Sequence, residues 1–89
     1  MGRVSAFLGI VLYMYPERGG QHHHPHVHAV YGDEECVLSI PDGDILAGGL
    51  PPRLLRNVQT FIDMRTAELL LDWQLCMEGK DVVWIDPIR

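Results

Sequence analysis

From Phe7 to Tyr15 almost every position is apolar, with Ile10, Leu12 and Met14 on one alternating set and Val11, Tyr13 and Tyr15 on the other. A run that is apolar on both sets predicts a strand covered on both faces. Pro16, Glu17, Arg18, Gly19 and Gly20 then predict a loop, because proline and paired glycines interrupt regular backbone. His26 to Ile40 reads as a β-hairpin about a two-residue Gly32-Asp33 turn. With Tyr31 opposite Glu34, Ala29 falls opposite Cys36 and Val27 opposite Leu38, and these apolar side chains gather with Ile40 on one face. The other face carries His26 opposite Ser39, His28 opposite Val37 and Val30 opposite Glu35. A one-residue slip would expose the whole apolar set, so Val27, Ala29, Tyr31, Cys36 and Leu38 are expected inside, with His26 and His28 together on the opposite, mixed face.

Pro41, Asp42, Gly43 and Asp44 make the next turn, and Ile45 to Ala47 a short further strand that Gly48 and Gly49 break. Pro51 and Pro52 suit the first turn of a helix, where a missing amide hydrogen has no intrahelical partner to lose, and Gly79 supplies a left-handed end. The predicted helix runs from Pro52 to Glu78. Leu55, Val58, Ile62, Leu69, Trp73 and Cys76 keep three- and four-residue spacing on one side, while Asn57, Thr60, Asp63, Glu68, Asp72 and Gln74 are the polar positions. Leu54, Phe61, Met64, Leu71 and Leu75 form a second apolar set, more than one sheet face needs. Either the helix bends, with Arg65 and Thr66 the expected place, or the side of Leu54, Phe61, Met64 and Leu71 binds a protein partner or a second copy in a homodimer. Val82 to Asp86 reads as a closing strand ended by Pro87. The fold expected is α+β, a small antiparallel sheet of about four strands against one long or bent helix in the C-terminal half.

Composition narrows the function classes. The 89 residues leave room for one domain, 1–89, and one core. Hydrophobic residues make up 47% and charged residues 21%, as in folded globular chains and unlike disordered ones. Seven basic against twelve acidic residues give a net charge of −5, which disfavours nucleic acid as a partner. Cys36 and Cys76 have no Cys-x-x-Cys spacing and read as buried thiols in a reducing cytoplasm. Arg3 followed by the apolar run Val4 to Tyr15 is a poor export signal, with tyrosines where a cleavage site should begin, and the run is too short to span a membrane. Ala6 stands where a myristoylation motif wants Ser or Thr.

The chemically unusual feature is the tract His22, His23, His24, Pro25, His26, Val27, His28. One reading makes His22, His26 and His28 ligands for zinc or nickel, with Glu35 on the same face and water able to complete the shell. A competing reading leaves His26 and His28 as a solvent-facing pair held by hydrogen bonds to carbonyls and Ser39, and His23 and His24 as solvated loop residues. An acid–base role for His26 or His28, with Ser39 as nucleophile, lacks an orienting carboxylate and an oxyanion hole, so enzymatic activity is not the expectation and no catalytic residue is assigned. Arg53 and Arg56 at the helix start read as solvated arginines before they read as a phosphate site. Trp73 and Trp84 read as packing residues.

Gly9-Ile10-Val11 and Met14-Tyr15, Pro25-His26-Val27-His28, Tyr31-Gly32, Ile40 with Asp42-Gly43, Leu50-Pro51, Leu69-Leu70, Trp73 and the ending Ile85-Asp86-Pro87 together resemble a small bacterial family, domain of unknown function 4160. The family pattern has an aromatic residue between its last two histidines, where this chain has Val27, and prolines before them, where it has His23 and His24 ahead of Pro25. His22, His26 and His28 are the matching histidines. The resemblance implies a compact α+β domain of bacterial origin, encoded beside another small domain in a toxin–antitoxin-like arrangement. The expected function is that of a cytoplasmic partner-binding protein of such a pair, the alternative a divalent-metal module built on the histidines.

Overall fold

The computed structural model describes residues 2–16 and 24–87. Five strands, β1 (Gly2–Phe7), β2 (Ile10–Met14), β3 (His26–Tyr31), β4 (Glu34–Ser39) and β5 (Ile45–Gly48), form one sheet in that spatial order, with every neighbouring pair antiparallel. Two helices follow, α1 (Pro52–Met64) and α2 (Thr66–Met77). The α+β class expected from the pattern holds, with five strands in place of about four and two helices in place of one.

The extra strand comes from the N-terminal apolar run, which folds as a hairpin. Leu8 and Gly9 both have positive φ, 53° and 78°, the backbone that a tight two-residue turn of the I′ kind requires. A leucine at the first of these positions conceals the turn within an apolar stretch. At the β3–β4 turn Gly32 takes φ 58°. The register beyond it is the one the pattern predicts, from Tyr31 opposite Glu34 through to His26 opposite Ser39. Val27, Ala29, Cys36 and Leu38 are fully buried, whereas Tyr31, expected inside, is 38% exposed because it sits beside the turn at the sheet's end. Val82 to Asp86, expected as a strand, is not one. It runs beside β1, with Ile85 N–H donating to the Val4 carbonyl at 2.8 Å and the Ser5 hydroxyl donating to the Ile85 carbonyl at 2.7 Å.

The helical segment breaks at Arg65, whose φ of −116° leaves the helical region. Thr66 sharpens the break by returning its hydroxyl to the Ile62 carbonyl at 2.7 Å. Gly79, with φ 74°, ends α2. There the Lys80 N–H bonds the Leu75 carbonyl and the Gly79 N–H the Cys76 carbonyl, a Schellman cap. The break redirects the apolar faces. Val58, Phe61 and Ile62 of α1 join Leu69 and Cys76 of α2 over Ile10, Leu12, Met14, Val27 and Leu38 of the sheet. Each such side chain contributes about 1.5–3 kcal/mol by leaving water. Both cysteines are buried free thiols, and burial pushes their pKa values up.

Candidate functional site

The long connection after β2 returns the chain so that β3 lies beside β2, pairing Tyr13 with His28. Period-two alternation then puts Tyr13, Tyr15, His26, His28 and Glu35 on one side of the sheet. His28 is at the centre of the group. Its Nδ1 lies 2.9 Å from Glu35 Oε2 on β4, its ring meets Tyr15 edge-on with centroids 4.6 Å apart, and its side chain is only 12% exposed. Tyr13 and Tyr15 stack at 6.0 Å with planes 10° apart. Burial raises the pKa of Tyr15, and the nearby Glu35 carboxylate and Tyr13 raise it further, so its hydroxyl keeps its proton near neutrality.

His26 is held differently. It is 1% exposed, which overturns the competing reading of a solvent-facing histidine pair for this residue. Its Nδ1 lies 2.9 Å from the His24 carbonyl, its ring is 5.3 Å from that of His28, and Trp73 of α2 covers it at 4.8 Å. A carbonyl oxygen only accepts, so His26 Nδ1 carries the proton. The carboxylate partner assigns His28 in the same way, and in each neutral ring the lone pair is then on Nε2. The Ser39 hydroxyl, opposite His26 in the ladder, accepts from the Asp44 N–H at 3.0 Å.

The structure thus brings together His26, His28 and Glu35 as the spacing predicted, and adds Tyr15 and Trp73, which it did not. His24 is exposed, while His22 and His23 lie outside the described residues. Among the described residues no group of three or more His, Cys, Asp or Glu side chains is arranged to hold a metal ion. The helix positions assigned to a partner divide. Phe61 is fully buried, 5.1 Å from Phe7, and is a core residue rather than a surface one. Leu54 packs partly buried against the core, and Met64 and Leu71 are 61% and 55% exposed. Arg53 and Arg56 are exposed. Trp84, expected to pack, is 50% exposed. Asp72, assigned to the polar face, is buried, its Oδ1 accepting from the Val83 N–H at 2.8 Å and its Oδ2 without a hydrogen-bond partner among the described residues.

The family model for domain of unknown function 4160 (DUF4160) matches residues 9–74, from the β1–β2 turn to the last turns of α2. The chain belongs to the DUF4160 family. The DUF4160 span holds the whole group from Tyr13 to Trp73, while β1 and its partner segment around Ile85 flank it. No curated protein and no solved structure matches the chain. Among the described residues no helix is long and apolar enough to cross a membrane.

Proposed function

We propose that this chain is the partner-binding member of a toxin–antitoxin-like pair of bacterial cytoplasmic proteins, and that helix α2 and the turn before it carry the contact. The supporting observation is the outward side of the helices, where Met64 and Leu71 are 61% and 55% exposed and Leu70 and Met77, two turns apart on one side of α2, are 38% and 42% exposed. Exposed apolar side chains grouped in this way mark association surfaces. Covering Met64 and Leu71 would add roughly 1.5–3 kcal/mol each. The test is co-expression with the small protein encoded beside this one, followed by light scattering. A stable complex is expected, and it should dissociate in a Met64→Glu, Leu71→Glu variant whose circular dichroism is unchanged. A complex indifferent to both substitutions removes the reading.

A second reading, a divalent-metal module for zinc or nickel, is favoured by the two Nδ1 anchors. An imidazole whose Nδ1–H is held by a carbonyl or carboxylate is oriented as metal-binding histidines are. Calorimetry with zinc and nickel chlorides on untagged protein decides it. Saturable binding lost in the His26→Ala, His28→Ala variant would support it, and no saturable heat near neutral pH would end it.

A further inference from the structure

The chain treats the two margins of its sheet differently. Along β1 the segment around Ile85 is hydrogen-bonded to Val4 and Ser5. Beyond β5 no further strand follows among the described residues, and all four of its residues are exposed. The Asp44 carbonyl and the Gly49 N–H turn inward, to Ser39 N at 2.9 Å and Glu35 O at 3.1 Å. Between them Ala47 lies opposite Val37 and Ile45 opposite Leu38, a register shift that leaves Leu46 without a partner on β4 and its backbone toward the open side. Edge strands of proteins that stay unpaired usually carry lysine, proline or an inward charge as protection. Ile45-Leu46-Ala47-Gly48 carries no lysine, proline or charge; its only protection is its four-residue length and the register shift at Leu46, and Ile45 and Leu46 are 47% and 40% exposed.

A cavity of about 410 Å³ opens beside this edge. Leu46, Ile40, Pro41 and Pro25 give it an apolar wall, Asp42 and Asp44 are two acidic residues of its lining against the single imidazole of His24, and no lysine or arginine is among its described lining residues. We infer that the β5 edge and this cavity take an extended strand of a partner protein, paired by its backbone along Ile45–Gly48 and directing a lysine or arginine side chain toward Asp42 and Asp44. Backbone pairing accepts any extended segment, so selection falls to the side-chain pocket. An acidic pocket on a chain of net charge −5 selects a basic occupant. A second copy fits poorly, because it would present the same neutral strand and the same two aspartates. The inference uses none of the residues of the helical side and stands or falls apart from it.

The experiment is nitrogen-15 NMR titration of the full chain with a capped Thr-Val-Lys-Val-Lys-Val-Thr peptide and its glutamate counterpart. Saturable changes confined to the amides of His24, of Ser39 and Ile40, and of residues 42–49 are expected, with slower solvent exchange along β5. Affinity should fall about threefold in each of Asp42→Asn and Asp44→Asn, the effect of losing one exposed ion pair. An equal response to both peptides, a response elsewhere or no response overturns the inference. So does a free chain whose β5 amides shift with its own concentration as its mass doubles, which would give the edge to a second copy.

Discussion

The imidazole of His26 lies 4.8 Å from the indole of Trp73, their planes 57° apart, so the first residue of β3 is clamped by the second helix. His28, two residues on, meets Tyr15, Glu35 and His26.

Removing the two histidines should therefore have unequal effects. His26→Ala takes away a buried ring and its anchor and is expected to cost about 2–3 kcal/mol, whereas His28→Ala, beside a half-exposed carboxylate, should cost about 1 kcal/mol. Urea denaturation of both variants without added metal checks this. Equal losses would show that Trp73 does not distinguish the two rings.

Phe61 and Met64, one helical turn apart, were alike in the pattern and differ in the fold. Phe61→Ala should cost about 3–5 kcal/mol by opening a core cavity, while Met64→Ala should stay within about 0.5 kcal/mol. Midpoints of chemical unfolding measure both, and a Met64→Ala loss comparable to that of Phe61→Ala would place Met64 inside.

Asp72 predicts a pH dependence. Burial, the leading cause, raises its pKa and Glu68 adds to this, while the Val83 N–H works against them. A carboxyl whose folded pKa exceeds its unfolded value, about 4, binds more protons in the folded state. Its contribution to stability is complete below that value and is lost as pH rises through the folded pKa. Asp72→Asn, which keeps an acceptor for Val83, should remove that loss and be at least as stable as the parent near neutrality. Thermal unfolding from pH 3 to 7 reads the difference, and parallel curves would exclude Asp72 as its source.

Gly48 is fixed by its surroundings. Its φ is 71°, and a Cβ there would collide with the Glu35 carbonyl oxygen across the β4–β5 ladder. Gly48→Ala should cost about 2 kcal/mol or more and loosen β5 selectively. Hydrogen exchange would show this as lost protection at Ser39 and Gly49, with α1 and α2 unaffected.

The hairpin was legible because Gly32-Asp33 fixes a two-residue turn and one apolar face fixes everything after it. The Leu8-Gly9 turn was not, since a leucine at positive φ carries no turn signal and merges two strands into one apolar run. The bend at Arg65 was legible, but not the resulting rotation that sends Phe61 inward. At the site, alternation places His26, His28 and Glu35 on one face. Tyr15 and Trp73 reach them only because β2 pairs with β3 and α2 folds back, contacts between segments that no local spacing encodes.

The bonds that tie Ile85 to Val4 and Ser5 bring the two extremities of the described chain to one rim of the sheet. That rim is four strands away from β5. A pulling force applied between Val4 and Ile85 would load that rim first and would reach β5 only through the three strands between them.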